Sequence, residues 1–394
     1  MATVLSSISE SYIVDDDIDG GHQTVLTLCG RADEALQLFD AYHRVITNQN
    51  SEIVVVHGES GSGKTTLAEI LRETAVESNG YYVVGKYFQD SGIQEPYSAV
   101  MAAFSDLCDL VSQSDDFENR QPIIQKALGD DNGRLLSRTI SHLFPFLSGT
   151  VEEEVDIKSE VALAKFTIAC KAFLRAMSSS EHPVVLVLDD IQWMDMGSRQ
   201  LLEVLLSDAE LKNVLLVLIY RDEEEELVLD LLHTIKSSSL RKVHIRVDGL
   251  DADGIHQIIL SRFKVEASDK SEALSLLVHQ RTLGNAFHIL GFLDFIESQG
   301  ILILEAGIDV EAIKQGTMVA DTIADVLLRK INRLSSEVHE TMKIASLLGF
   351  RFEKDLIADV MSLSYSLGRT NPGVCHEEQS SDATMSSVSA SLEK

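Results

Sequence analysis

The stretch that most restricts this chain is Ile53-Val54-Val55-Val56-His57, which runs directly into Gly58-Glu59-Ser60-Gly61-Ser62-Gly63-Lys64-Thr65 and then Thr66. The β-branched run predicts a buried strand, and the apolar-periodic LAEIL that follows predicts a helix. Between them stands a complete GxxxxGK[ST] string, which chance produces about once in 100 chains of this length. Its strand-turn-helix setting makes coincidence rarer still. Glycines at 58, 61 and 63 let successive backbone N–H groups turn inward, so the turn can form an anion nest at a helix N-terminus. Lys64 adds a cation suited to β- and γ-phosphates, and the Thr65 hydroxyl is a hard oxygen suited to Mg²⁺. The bland alternative is a glycine-rich turn that holds no ligand.

Further runs extend the same pattern. YYVVGKYF over 81–88, VVLVLDD over 184–190, VLLVLIYRD over 214–222 and KVHIRV over 242–247 all read as strands. Unbroken apolar strands are buried on both faces, as in parallel sheets. Helical periodicity lies between them. Leu36, Phe39, Tyr42 (or His43) and Ile46 mark one amphipathic helix over 33–47, and Leu163, Phe166, Cys170, Phe173 and Met177 mark another over 158–177. Strands alternating with helices predict an α/β fold, a P-loop NTPase core with a parallel sheet over 23–250. Residues 1–22 are an irregular acidic lead-in. From 251 the strand signal fades, apart from a short hairpin pattern at 301–308. This predicts an α-helical second half, built as one or two small units. The Ser-rich stretch 363–394 lacks periodicity and reads as disordered.

VVLVLDDIQWMD places Asp189 and Asp190 at the end of a buried strand, where open α/β sheets bind ligands. Asp189 is the natural water-mediated Mg²⁺ partner, and Asp190 is placed to orient or deprotonate an attacking water. Two acids ending an apolar strand are common by themselves; the phosphate loop on a separate strand is what turns them into a site. Arg221 ends the next strand and so shares the same sheet edge, where it can read a γ-phosphate. The competing reading is a solvated charge opening the acidic run 222–226. Trp193, the only tryptophan, and His57 read as packing residues.

The 62 acidic and 33 basic residues leave a net charge of −29. That balance opposes a surface built to neutralise nucleic-acid phosphates, though it permits one small anion held by local groups. Thirteen of the acids fall in three runs, at 15–19, 152–156 and 222–226, which read as solvated loops. The four cysteines, Cys29, Cys108, Cys170 and Cys375, are too scattered for a zinc knuckle or a CxxC motif and fit reduced thiols. No apolar run has the length of a membrane span, and the N-terminus lacks the basic region of a signal peptide. The expected location is cytoplasmic, with the nucleus as the other reduced compartment.

LCGRADEALQLFDAY, GESGSGKTTL, PYSAVMAAFSDL, VVLVLDDIQWMD, LIYRDEEE and TLGNAFHILGFL occur in the order found in signal-transduction ATPases with numerous domains. The chain resembles that family over about 28–360, most specifically at the phosphate loop and DDIQWMD. The ATPase module of that family is described as an origin-recognition-like AAA domain. The resemblance implies an additional-strand P-loop core, an α-helical lid over 251–316 and a partial winged-helix-like unit over 317–362. It also implies ATP and Mg²⁺ binding, regulated hydrolysis and a nucleotide-controlled switch. By position it implies that Gly30-Arg31 is an entry motif near the nucleotide and that Gly58 to Thr66 hold the phosphates and metal. Asp189 and Asp190 match the paired acids, and Arg221 the sensor arginine. Gly284-Asn285 opens the lid motif, with Ala286 where proline is usual. No arginine finger is evident.

Three functions are compatible with these residues. The first is a Mg-ATP-dependent switch that hydrolyses slowly and exposes a site for a protein partner or for self-association. The second is an origin-recognition-type DNA-associated ATPase. It is opposed by the charge and by a 321–361 region whose only basic cluster is Arg329-Lys330 and Arg333. The third is a catalytically silent nucleotide-binding scaffold.

Overall fold

The apolar runs pair into one parallel sheet. A computed structural model describes residues 29–89, 96–146 except 138, 160–237, 240–298 and 334–348, with a few isolated positions besides. Strands β1 (Glu52–Gly58), β2 (Tyr81–Lys86), β3 (Val184–Asp189), β4 (Val214–Arg221) and β5 (Arg241–Arg246) lie in the order β2-β3-β4-β1-β5. Every neighbouring pair is parallel. Strand β4 therefore sits between the strand that feeds the phosphate loop and the strand that ends in the paired acids. This is the additional-strand arrangement, and it makes the fold a P-loop NTPase α/β core.

Side chains alternate across the pleat, so each strand feeds two cores. Ile53, Val55, Val83, Leu186, Leu188, Leu216 and Leu218 face one side; Val54, Val56, Val185, Val187, Leu215, Val217 and Ile219 face the other. On the second side pack α1 (Ala32–Asn48), α2 (Lys64–Glu69) and α3 (Leu71–Glu77). On the first side pack α4 (Ser98–Ser112), α5 (Phe117–Leu128), α6 (Asp130–Leu136), α7 (Glu160–Met177), α8 (Met196–Leu206) and α9 (Leu229–Ser237). Phe104 and Phe173 meet there at a centroid distance of 4.7 Å, both fully buried; burial of such a ring contributes about 2–3 kcal/mol. Ile124, Leu128, Leu136, Leu143 and Phe146 join the same core, so the described part of the long 115–150 segment packs against the sheet.

Helix α1 departs from its predicted face. The buried positions are Ala35, Leu38, Ala41, Tyr42 and Val45, while Leu36, Phe39 and Ile46 are only half-buried. Small alanines at the contact line let the helix lie close to the sheet, and the larger residues flank that line. Helix α7 follows its prediction at Phe166, Cys170, Phe173 and Met177, all buried.

By its contacts the chain divides into two units. One comprises Leu28–Gly254 together with Leu283–Phe287, and the other comprises Met1–Thr27, Ile255–Thr282 and His288–Lys394. The second contains a two-stranded antiparallel pair, Tyr12–Ile13 with Val25–Leu26, and most of helices α10 (Ala252–Phe263), α11 (Asp269–Thr282), α12 (Ala286–Ser298) and α13 (Ser336–Leu348). Within it, Ile255, Ile259, Leu274, Val278, Ile289 and Leu293 are buried, and Arg262 donates to Asp294 and Glu297, each at 2.7 Å. Almost all of the acidic lead-in lies outside the described residues. So do the run at 152–156, the hairpin at 301–308, most of 317–362 and the tail from 363.

Candidate functional site

The strand order brings the C-terminal ends of β1, β2, β3 and β4 side by side, and each end carries a functional group. In register, Gly58 lies opposite Arg221 and Lys86 opposite Asp189. The loop after β1 turns through positive φ at Gly61 (78°) and Gly63 (98°), conformations that glycine adopts without a Cβ penalty. Gly63 caps α2 without any side-chain bond, which leaves the turn built from backbone N–H groups.

The loop is held from several sides. Buried Arg31 donates to Ser62 O at 3.2 Å and also to Asp248 O. The Lys64 ammonium donates to Gly58 O at 2.9 Å and Glu59 O at 2.7 Å, so it folds back over its own loop. Burial pushes its pKa below the usual lysine range; Glu223 opposes that shift and Arg221 adds to it. The Ser60 N–H donates to Glu223 Oε1 at 2.9 Å. The acidic run 222–226 is therefore more than the solvated loop predicted for it. Asp222 accepts from His57 Nδ1 at 2.8 Å, with the His57 ring stacked on Tyr220, and Glu223 reaches the phosphate loop. A second segment does the same from far along the chain. Asn285 Nδ2 donates to Ser60 O at 2.7 Å, and the Phe287 N–H donates to Gly61 O at 2.9 Å.

The acids lie beside the loop. Thr65 Oγ1 donates to Asp189 Oδ2 at 3.0 Å, and Lys86 Nζ reaches the same oxygen at 2.9 Å and Asp190 Oδ2 at 3.4 Å. Burial works against the Lys86 ammonium, yet the bonds and charges of Asp189 and Asp190 outweigh it and hold its pKa above the usual lysine value. Asp190 takes φ 55°, a left-handed conformation tolerated by Asp and Asn. Its Oδ1 accepts from Gln192 Nε2 at 2.9 Å and from Arg221 Nε at 3.0 Å. The Arg221 guanidinium lies 4.4 Å from the Trp193 ring centroid, so the lone tryptophan supports that arginine as well as packing against the core.

Lys64, Thr65, Asp189, Asp190 and Arg221 thus converge, and Arg31, Glu59, Ser60 and Ser62 shape the loop beside them. Thr66 is half-buried one position further along α2, and none of these contacts involves it. Sequence reasoning missed Lys86, Glu223 and Phe287. The available signal for Lys86 was its place at the end of an apolar strand, the same signal that marked Asp189.

The residues fit a nucleotide with Mg²⁺. Ser62 Oγ is buried and has no hydrogen-bond partner among the described residues, a polar atom aimed into the loop with nothing to satisfy it. The Thr65 hydroxyl and Asp189 carboxylate form an all-oxygen pair of the kind Mg²⁺ takes when phosphate oxygens complete its shell. No group of three His, Cys, Asp or Glu side chains able to hold a metal occurs among the described residues, so no all-protein cage competes with that arrangement.

The parallel strand order and the glycine-rich loop that ends β1 define a P-loop NTPase core. Residues 27–219 match the model of the AAA ATPase domain family. The chain is similar to hybrid signal transduction histidine kinase G of Dictyostelium discoideum, with 21% identity over 391 residues that cover 81% of this chain and 11% of that protein. The chain thus spans about a tenth of that relative's length. Among solved structures, Cdc6p of Pyrobaculum aerophilum aligns with 15% identity and a TM-score of 0.45, covering 96% of this chain and 89% of that one. The ORC2 protein of Aeropyrum pernix, solved as ADPNP–ADP complexes, aligns with 12% identity and a TM-score of 0.44, covering 96% and 88%. No helix among the described residues is long and apolar enough to cross a membrane.

Proposed function

We propose that the chain is a Mg-ATP-dependent regulatory switch of the signal-transduction ATPase kind, hydrolysing slowly and coupling nucleotide state to a protein partner or to self-association. The observation that carries this reading is the pair of hydrogen bonds from Asn285 and Phe287 to the backbone of Ser60 and Gly61. A phosphate loop that rearranges around a nucleotide must alter those bonds. They belong to a five-residue segment continuous with α11 and α12. Phosphate state then has a mechanical route into the helical lid over 251–316.

In this reading Lys64 leaves its own loop carbonyls for the β- and γ-phosphates, and the N–H groups of the 58–66 loop cradle them. Thr65 and Asp189 hold Mg²⁺, which when bound neutralises phosphate charge. Asp190 orients the attacking water, and Arg221 reads the γ-phosphate. Slow turnover is supported by Asp190 itself, whose Oδ1 already accepts from Gln192 and Arg221. Water activation has to break or share those bonds.

Trp193 fluorescence, titrated with ATP and ADP in the presence of Mg²⁺, tests the reading. Wild type binds both, and Lys64→Ala loses most of the affinity. Equal MgATP affinity in the two proteins refutes it. Phosphate release separates a switch from a silent scaffold. Turnover no faster than that of Asp190→Asn, in a protein that does bind nucleotide, selects the scaffold.

A further inference from the structure

We propose that Lys86 is an internal counter-cation that competes with the divalent metal for Asp189 and so sets the metal concentration at which the nucleotide site switches on. This rests on the Mg-ATP reading above and assigns a role to a residue which that reading leaves unused.

The parallel register of β2 and β3 sets Lys86 directly beside Asp189. Its amine lies 2.9 Å from Asp189 Oδ2, the oxygen that also accepts from Thr65, and 3.4 Å from Asp190 Oδ2. The two acid side chains are 3% and 8% exposed, whereas the Lys86 side chain is 44% exposed. Adjacent buried carboxylates need opposing charge. Arg221 pairs with Asp190, and among the described residues Lys86 is the cation in ion-pair contact with Asp189. A half-exposed lysine on a flexible stem can withdraw into water, while the acid at the end of a buried strand cannot follow it. The oxygen shared by the candidate metal-holding pair, Asp189 Oδ2, accepts from both Thr65 Oγ1 and Lys86 Nζ. A metal at that oxygen and an ammonium at the same oxygen exclude one another by charge and by space. Lys86 therefore keeps the acid pair neutralised in the metal-free protein and leaves Asp189 when a divalent cation binds.

The test is the Mg²⁺ dependence of ATP binding to the 394-residue chain, measured by calorimetry at a series of Mg²⁺ concentrations. Lys86→Met removes the charge and keeps the stem. It moves the midpoint about tenfold toward lower Mg²⁺, the effect of removing one competing unit charge at close range. Lys86→Arg keeps the charge and retains a midpoint near wild type. A Met variant whose midpoint stays put or rises overturns the proposal, as does an Arg variant that falls as far as Met. Thermal unfolding without nucleotide supplies a second readout. Lys86→Met melts below wild type in EDTA and gains more from Mg²⁺ than wild type does; an equal gain counts against competition. Asp189→Asn keeps the two readings distinguishable. If it leaves the Mg²⁺ dependence of ATP binding intact, the metal site itself is wrong. If it abolishes that dependence while Lys86→Met changes nothing, the site stands and the role of Lys86 falls.

Discussion

The contact between Arg221 and Asp190 joins the two groups assigned to opposite ends of the chemistry, and its strength is measurable by a double-mutant cycle. The perturbations are Asp190→Asn and Arg221→Gln, singly and together. Asparagine is chosen because φ at 190 is 55°, a conformation it tolerates, so the change tests charge and not backbone strain. The pair has one well-formed bond, Arg221 Nε to Asp190 Oδ1 at 3.0 Å, and one long one, from the second guanidinium nitrogen to Oδ2 at 3.5 Å. A buried charge-assisted bond contributes about 1.5–3 kcal/mol, and an exposed pair contributes about 0.2–1 kcal/mol. The Asp190 side chain is 8% exposed and that of Arg221 is 29%, which places the coupling at about 1–2 kcal/mol between those limits. The stacking of Arg221 on Trp193 is lost equally in Arg221→Gln and in the double variant, so it cancels from the coupling term. A loss of that size lowers the unfolding midpoint of each single variant by roughly 2–8 °C, at about 2–4 °C per kcal/mol for a domain of this size. Thermal unfolding followed at Trp193, the only tryptophan, reports the core unit directly. Single-variant losses that simply add would show that the two groups do not interact energetically and would refute the reasoning. With saturating MgATP the coupling should shrink, because the proposed function moves Arg221 to the phosphates.

Glu223→Gln removes a carboxylate from the Ser60 N–H. ATP affinity should rise about threefold at low salt and less at high salt, as suits an exposed charge; a titration at two salt concentrations checks both. Gly85→Ala would set a Cβ 2.4 Å from Ala99 O and 2.9 Å from Ala99 C, rigid backbone atoms at the start of α4. It should cost about 2–4 kcal/mol in chemical denaturation, since overpacking against backbone has little room to relax. Cys108 and Cys170 are buried, and burial pushes both thiols far above the usual cysteine range. Because the thiolate is the reactive form, both should resist alkylation near pH 8 in the folded chain and label in urea, as mass spectrometry would show.

Much of the site was legible because its signals are local. The phosphate loop, its strand and its helix start fall within the thirteen residues 53–65, and the paired acids announce themselves at the end of an unbroken apolar run. The face of α1 was less legible. Periodicity marks where large apolar residues recur, while the buried line runs through Ala35 and Ala41, whose small size permits close approach to the sheet. The acidic run 222–226 was misread for a related reason. Charge in a loop is usually solvated, and nothing in DEEEE records that Glu223 meets a backbone N–H 163 residues upstream.

The sequence by itself determined the strands, the glycine-rich loop, the paired acids at a strand end and the net acidity of the chain. These follow from hydrophobic period, glycine placement and side-chain chemistry, which act over a few residues. Tertiary structure alone decided what those groups touch. The strand order β2-β3-β4-β1-β5 sets Lys86 against Asp189 and Arg221 against Asp190, and chain return places Asn285 and Phe287 on the phosphate loop. Strand order is fixed by burying both faces of the sheet at once, a global packing condition that no single segment carries.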